Sequence, residues 1–300
     1  MALLSILQNE KFEVLQDVVY GMPTFPYLWI PHCILMSMAV RATVGGLNFS
    51  RTHPLACYMM NVVYTFPGGI LASVLLAEPP LAFLANTPAI IAMSLAWYMV
   101  FYAPYDFFVK LVGVLHLRLP LGFLQDVLRI KLVISGIETI HAVYPNTILY
   151  PFVFATVKSS GFMFIKYIEG LVYGKKLPNG FVVPNHHSKT CMLAAVLFIA
   201  SDIGFLEVEK KLLLLLCISI ALSLRLASML PSAHNEPDPY IIFENVACYI
   251  LFGKEEEKIE KKCDLKDETN MTHNGRNHEN VFSQKAPENG KKNKVKNQKV

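Results

Sequence analysis

The chain has 300 residues, of which 53% are hydrophobic and only 17% are charged. Its mean hydropathy is +0.39 and its formal net charge is +4. This composition excludes an ordinary soluble globular domain and favours a chain whose main solvent is a lipid bilayer.

Seven apolar runs follow one another along the first three quarters of the chain. The hydrocarbon core of a bilayer requires roughly 20 predominantly apolar residues per helix, so runs near this length, bounded by charge, Pro or Gly, predict membrane spans. The sequence therefore predicts an all-α membrane protein with seven transmembrane helices, which run approximately from Val18 to Val40, His53 to Leu76, Pro88 to Tyr102, Leu119 to Ile140, Ile148 to Ile165, Thr190 to Ser201 and Lys211 to Leu230.

Charged residues divide the chain into regions. Lys and Glu are concentrated in residues 254–300, where aromatic residues are scarce, and such a segment is too polar to form a packed core. We therefore predict a transmembrane channel domain over residues 1–231, a post-membrane segment over 232–253 and a disordered cytosolic tail over 254–300.

The short loops differ in their content of basic residues. The loops after the first, third and fifth predicted helices contain Lys or Arg, whereas the loops after the second and fourth contain neither. Because basic loops are retained on the cytosolic side, this alternation predicts a lumenal or external N-terminus and a cytosolic C-terminus.

The first six predicted helices resemble two copies of a three-helix unit. In each copy glycine interrupts the middle helix, at Gly68 and Gly69 in the first copy and at Gly161 in the second. An odd number of helices per copy inverts the second, and inverted repeats with broken helices form mid-membrane pathways in transporters and several channels. The alternative is that these glycines only permit close helix packing. The copies span residues of about 14–103 and 119–203, and the seventh helix spans about 210–231.

The fourth predicted helix carries Gln125, Asp126, Arg129 and Lys131 inside its apolar run. A charge at a helix centre costs about 2.5 to 3.5 kcal/mol on insertion scales, so each charge requires a partner or a wet cavity. In one interpretation Asp126 and Arg129, three residues apart, neutralise each other. In the other, Arg129 binds the phosphate of an anionic lipid, with Gln125 on the same helix face.

The fifth predicted helix places Lys158 three residues before Gly161. Two like charges about 4 Å apart repel by about 4 kcal/mol at an effective dielectric near 20, so a lysine beside a cation path must be paired, turned aside or part of a gate. A charge that crosses the full membrane field contributes about 2.3 kcal/mol per 100 mV. Two interpretations of Lys158 are therefore open. It has a role in gating, or it is a structural charge whose long side chain extends toward the membrane surface.

No enzyme signature occurs in the sequence, which lacks H-E-x-x-H and G-x-S-x-G motifs and a phosphate-binding glycine loop. His186 and His187 fall in a predicted polar cytosolic loop, where solvated side chains are expected. Asp106 follows Pro104 at a helix end, where an aspartate suits an N-terminal cap. The sequence therefore predicts a protein that is not an enzyme, with no metal site and no nucleic-acid partner.

Four runs of residues resemble a known family. Together with the helix spacing, they are similar to the trimeric intracellular cation channels of endoplasmic and sarcoplasmic reticulum, over roughly Val14 to Leu230. The runs are residues 76–80 (LAEPP), 97–106 (WYMVFYAPYD), 68–69 (GG) and 157–161 (VKSSG).

The resemblance implies a homotrimer with one pore inside each protomer, in the membrane of the endoplasmic or sarcoplasmic reticulum or the nuclear envelope. It implies that potassium ions pass as counter-ions while calcium leaves the store. It also implies that phosphatidylinositol 4,5-bisphosphate is a bound regulatory lipid, with no other cofactor. By the same likeness Gly68, Gly69 and Gly161 bend the pore helices, and Lys158 lies near the pore.

The family's fourth helix has the pattern K-E-V-x-R-x-K, whose basic residues bind this lipid between protomers. In this sequence Gln125 stands at the first lysine of the pattern, whereas Arg129 retains the arginine. The resemblance therefore implies that Gln125 and Arg129 contact the lipid, the former through hydrogen bonds and without charge.

Two other functions are compatible with the predicted topology. An alternating-access transporter of a small solute also uses inverted repeats, and it would show saturable exchange without unitary currents. A seven-helix receptor shares the helix number, but a D-R-Y-like triplet is absent after the third predicted helix. We therefore expect a passive potassium channel, gated through its glycine-kinked second and fifth helices and modulated by voltage and inositol lipid.

Overall fold

The structure, a computed structural model, describes residues 10–43, 47–113, 115–172, 185–227 and 240–253. All regular secondary structure in these ranges is helical, which confirms the predicted all-α class. The predicted tail and the last residues of the seventh predicted helix lie outside the described residues.

The chain divides into two compact units, the first of which extends to Tyr240. Short turns of other helical types lie in this unit at Thr24–Leu28, Ala82–Ala85 and Pro104–Asp106. Its described α-helices are α1 (Glu10–Gly21), α2 (Trp29–Thr43), α3 (Leu47–Thr52), α4 (Pro54–Thr65), α5 (Pro67–Leu75), α6 (Thr87–Tyr102), α7 (Phe107–Gly113), α8 (Leu115–His141), α9 (Leu149–Val172), α10 (His186–Asp202) and α11 (Lys210–Ala227).

The first predicted membrane helix, Val18 to Val40, is not continuous. Helix α1 ends at Gly21, Pro23 has extended dihedral angles (φ −66°, ψ 139°), and α2 begins only at Trp29. Because proline lacks an N–H and restricts φ, Pro23 separates the two helices. The prediction was wrong because hydropathy alone does not register this interruption.

The second predicted span is bent at the position where its glycines indicated a break. Helices α4 and α5 meet at 63° around Phe66, and Pro67 has no N–H to continue the ladder of α4. This pair is long and apolar enough to span a bilayer, as is α6 with the segment that follows it to Gly113, bent by 94°. No single helix among the described residues meets the same test of length and apolarity.

Helix α9, which corresponds to the fifth predicted span, is kinked at Ser160. The dihedral angles of Ser160 are φ −111° and ψ 16°, and those of Phe66 at the break between α4 and α5 are φ −111° and ψ 26°. In both places a glycine follows within two residues. The two predicted middle helices are therefore interrupted with the same local backbone geometry.

The largest apolar core surrounds α8, which has 27 residues and packs against α9, α10 and α11. Leu128, Val133 and Ile137 of α8 are buried there with Phe198 of α10 and Leu214 of α11. Helices α2, α4 and α6 pack on one another in the same way, and α2 also packs on α8. The fold thus brings the broken helix α4–α5 and the kinked helix α9 together, and these two helices pack directly.

Helix α6 ends in a turn at which Tyr105 and Asp106 have positive φ angles of 56° and 55°. Asp106 forms an ion pair with Arg41 at the end of α2, with Oδ1 2.9 Å from Nη2. Arg41 also donates to the carbonyl oxygen of Val100 near the end of α6. Asp106 therefore fastens α2 to the turn after α6, and because it directly precedes α7, its interpretation as a helix cap stays a prediction.

The second compact unit begins at Ile241 and is described as far as Gly253. It contains α12 (Ile241–Phe252), in which Val246, Tyr249, Ile250 and Leu251 are exposed. The predicted post-membrane segment 232–253 is therefore helical over its final part.

Candidate functional site

The two interrupted helices cross backbone to backbone at Gly68 and Gly161. A Cβ atom on Gly68 would overlap the carbonyl group of Lys158, and one on Gly161 would lie only 2.5 Å from the Cα of Gly68 and 2.7 Å from the carbonyl carbon of Pro67. Side-chain carbons do not approach other atoms this closely, so both positions require glycine for this packing.

Gly69 differs from these two glycines. A Cβ atom there would lie 3.7 Å from the Cβ of Phe83, which is an ordinary contact. The structure therefore brings all three predicted glycines to one place, but the close approach requires only Gly68 and Gly161.

A cavity of about 190 Å³ lies beside this crossing. Five of the six predicted site residues line it, whereas Gln125 does not. The cavity wall also includes polar groups from α2, α4, α9 and the start of α10, together with the aromatic rings of Trp29, Phe66 and Phe83. The predicted residues in the lining are Gly68, Gly69, Arg129, Lys158 and Gly161, and the additional polar ones include His32, Thr65, Ser159, Ser160, Asn185 and Ser188.

The ammonium group of Lys158 is turned toward α8. Its Nζ donates a hydrogen bond to the Oγ of Ser135 at 3.1 Å and lies 5.8 Å from the centroid of the Phe154 ring. The ammonium group is therefore held to one side, and the gating role of Lys158 stays a prediction.

Gln125 is buried at the contact between α8 and α2, with 5% of its surface exposed. Its Nε2 lies 3.5 Å from the Nδ1 of His32, and the Nε2 of the same imidazole lies 3.0 Å from the carbonyl oxygen of Thr65. Gln125 thus contacts one of the residues that line the cavity, His32. His32 was not predicted, although a histidine inside an apolar run is a signal for a functional site.

Asp126 is paired with Arg225 of α11 and not with Arg129. The Nε and Nη2 atoms of Arg225 donate to the two carboxylate oxygens at 2.6 and 2.8 Å, in the bidentate geometry of strong Arg–carboxylate pairs. The side chains are 13% and 3% exposed, so this ion pair is buried. Gly122, one turn before Asp126, makes room for the pair, because a Cβ atom there would overlap the guanidinium group.

His187 also contacts this carboxylate, with its Nδ1 3.4 Å from the Oδ1 of Asp126. The imidazole is 22% exposed and belongs to the first turn of α10. The expectation that His187 is solvated in a loop was therefore wrong. Arg225 was not predicted either, although a charge in the last apolar run is the kind of residue that requires a buried partner.

The other two charges predicted inside the apolar run of α8, Lys131 and Arg129, have different surroundings. Lys131 donates from its Nζ to the carbonyl oxygens of Tyr20 and Met22 at 3.0 and 2.5 Å, where it satisfies acceptors at the end of α1. Arg129 lines the cavity, and it forms no ion pair or hydrogen bond with any of the described residues. Arg129 is therefore the guanidinium group that α8 presents to the cavity without a protein partner in the described part of the chain.

Comparisons with known proteins give a consistent result. The family model described as TRIC channel matches residues 41–232. The chain is 31% identical over 238 residues to the trimeric intracellular cation channel type B-A of Xenopus laevis, covering 79% of this chain and 83% of the relative. It is 28% identical over 256 residues to the type 1B.1 channel of Caenorhabditis elegans, covering 81% and 86%.

Solved structures agree with these sequence matches. The structure of a trimeric intracellular cation channel from C. elegans in the absence of Ca²⁺ matches with a TM-score of 0.68 at 26% identity, covering 74% of this chain and 97% of that chain. A second structure, described as a TRIC counter-ion channel in calcium release, matches with a TM-score of 0.68 at 30% identity, covering 73% and 99%. These are ion channels and not enzymes, and the chain belongs to the TRIC channel family.

Proposed function

We propose that this protein is a potassium channel of intracellular calcium stores, which supplies counter-ion flux while calcium is released. The proposed location is the membrane of the endoplasmic or sarcoplasmic reticulum, including the nuclear envelope, with a lumenal N-terminus and a cytosolic C-terminus. The relatives named as trimeric intracellular cation channels, and the structure described as a counter-ion channel in calcium release, support this assignment.

The observation that carries the proposal is the cavity at the crossing of α4–α5 with α9. Broken helices release backbone groups from their ladders, and such irregular backbone is tolerated at membrane depth only where it is buried in protein or lines a water-filled cavity. Both broken helices contribute hydroxyl groups to the cavity, Thr65 from α4 and Ser159 and Ser160 from α9. These hydroxyl oxygens are the groups of a mainly apolar lining that suit a cation, and the cavity lies within one chain, so each protomer has its own proposed path.

The proposed architecture is seven transmembrane helices in two inverted three-helix repeats. Helices α2, α4–α5 and α6 form the first repeat, helices α8, α9 and α10 form the second, and α11 is the seventh span. Mutual packing within each group and the matching backbone angles at Phe66 and Ser160 support the repeat. We place gating at the glycine crossing, and we assign voltage sensitivity to the intramembrane charges Lys158 and Arg129.

The position of Lys158 is compatible with cation passage. Its ammonium group donates to Ser135 of α8, so the charge lies on the α8 side of the cavity that Lys158 lines. The proposed protein is therefore a passive pore whose positive charges border the path without occupying its centre.

We further propose that Arg129 binds phosphatidylinositol 4,5-bisphosphate, with Gln125 as an uncharged neighbour. Replacing Arg129 by Ala should weaken binding of this lipid in liposomes about tenfold or more, because hydrogen bonds to charged groups contribute about 1.5 to 3 kcal/mol. Arg118, which is exposed on the same helix, provides the control, and Arg118→Ala should bind lipid as the unmodified protein does. Equal binding by the Arg129→Ala protein would show that Arg129 serves another purpose.

Purified protein in planar bilayers tests the channel function directly. In a potassium chloride gradient we expect unitary currents that reverse near the potassium equilibrium potential and flux that does not saturate at physiological concentrations. Saturable solute exchange without unitary currents would instead favour an alternating-access transporter. Chemical crosslinking in mild detergent should give a ladder that stops at three subunits, and a ladder that stops at two would contradict the proposed trimer.

A further inference from the structure

The bend between α4 and α5 is contacted by a side chain from α2. The last residue of α4 is Thr65, and its carbonyl oxygen lies 3.0 Å from the Nε2 of His32. A carbonyl oxygen can only accept, so Nε2 must carry the hydrogen. His32 therefore holds a backbone acceptor immediately before the Phe66 break, on the wall of the cavity.

The second nitrogen of the same imidazole faces α8. Because Nε2 carries the hydrogen, Nδ1 of neutral His32 has a free lone pair and accepts from the amide Nε2 of Gln125, 3.5 Å away. Gln125 thus fixes the tautomer that lets His32 donate to Thr65. The contacts form a line from α8 through α2 to the break in the pore helix.

The α8 end of this line is held in place. The residue after Gln125 is Asp126, which is locked to α11 by the buried bidentate pair with Arg225. Two hydrogen bonds therefore connect α8, which this ion pair holds in place, to the break between α4 and α5. No hydrogen bond joins Gln125 to Thr65 directly, so His32 links the two residues.

We propose that His32 is a positioning residue for gating, which couples α8 to the α4–α5 break through the Gln125 amide and the Thr65 carbonyl. This inference rests on the proposed channel function. In this chain the uncharged Gln125 acts on the pore through a neutral imidazole. Loss of either contact should shift the open-to-closed ratio in the same direction, and the shift should be larger when the contact with Thr65 is lost.

Two substitutions of His32 separate its two contacts. The amide nitrogen of glutamine occupies the place of Nε2, whereas that of the shorter asparagine occupies the place of Nδ1. His32→Gln therefore keeps the donor to Thr65, and His32→Asn loses it. In single-channel recordings His32→Asn should shift the open-to-closed ratio about twofold to tenfold, the range of a typical hydrogen bond. His32→Gln should shift the ratio no further than Gln125→Met does, because it keeps the contact with Thr65 and loses only the contact with Gln125.

A double-mutant cycle tests whether Gln125 acts through His32. Gln125→Met, which removes the amide at nearly constant size, should shift the ratio in the wild-type background and have no further effect in the His32→Asn background. Tyr58→Phe is the control, because it removes another hydrogen bond of α4, to Ser94 of α6 at 2.9 Å, away from the break. It should leave the ratio unchanged.

The outcomes separate this inference from the channel function. Absence of unitary currents from the unmodified protein overturns both. Two outcomes with normal unitary currents overturn only the role of His32. In the first, the effects of Gln125→Met and His32→Asn on the open-to-closed ratio are additive. In the second, both variants gate as the wild type does. Size-exclusion chromatography shows whether the His32→Asn protein assembles. If it does not, the test uses Gln125→Met alone and in the His32→Gln background. The effect of Gln125→Met on the open-to-closed ratio must disappear in the His32→Gln background.

Discussion

Arg225→Ala should destabilise the protein by about 3 to 5 kcal/mol, because it leaves the carboxylate of Asp126 buried without its principal partner. Asp126 is only 3% exposed, and both of its oxygens accept from Arg225. His187 contacts the same carboxylate at 3.4 Å, but it does not reproduce the bidentate pair. Urea or thermal unfolding of purified protein in detergent, followed by tryptophan fluorescence, measures the loss.

The matched experiment removes both charges. The double variant Asp126→Asn with Arg225→Met should recover most of the lost stability, since replacing a buried ion pair with uncharged groups costs far less than breaking it. Lys211→Ala provides a control, because Lys211 forms an exposed ion pair with Asp17 and exposed pairs contribute little. If the Arg225→Ala and Lys211→Ala proteins unfold at the same urea concentration or temperature, the ion pair of Asp126 with Arg225 does not join α8 to α11 as described.

Replacing Gly161 by Val should reduce open probability about tenfold or more. Overpacking a tight contact costs about 1 to 3 kcal/mol, and at this crossing the backbone of Gly68 leaves no space for even one methyl group. A β-branched residue also restricts the kink at Ser160, one residue earlier. Single-channel recording with protein checked for trimer assembly gives open probability separately from the amount of folded protein.

Gly170→Val is the matched control for this variant. Gly170 lies on the same helix, and a Cβ atom there would meet nothing within 4 Å. The same substitution should therefore leave gating unchanged at position 170 and impair it at position 161. Gly69→Ala should have a smaller effect than Gly68→Ala, which must displace the carbonyl of Lys158. Normal gating by Gly161→Val channels would remove the crossing from the mechanism.

Local sequence signals predicted the helical elements and the breaks within them. The residues Phe66-Pro67-Gly68-Gly69 interrupt an apolar run, and the structure bends there by 63° because Pro67 cannot donate to the preceding turn. The same kind of signal at Pro23 was overlooked, so the first span was wrongly predicted as continuous. Where a break depends on residues adjacent in sequence, the sequence contains enough information to place it.

Long-range pairing could not be read from the sequence. The intramembrane charge of Asp126 indicated that a partner was required, but a nearby candidate, Arg129, lies three residues away, whereas the observed partner, Arg225, lies 99 residues further along the chain. Helix periodicity gives the face of each residue but not the register between helices α8 and α11. The role of His32 depends on the same information, since its partners come from α4 and α8.

Cysteine modification within the cavity is the most direct test of the claim that cations pass through each protomer beside the glycine crossing. Met163 lines the cavity on α9, whereas Met99 is 48% exposed on α6 and lies outside it. A positively charged thiol reagent should strongly reduce potassium current through Met163→Cys channels and leave wild-type and Met99→Cys currents unchanged. Unaltered current through channels whose Cys at position 163 is fully labelled, as judged by mass spectrometry, would contradict a cation path through this cavity.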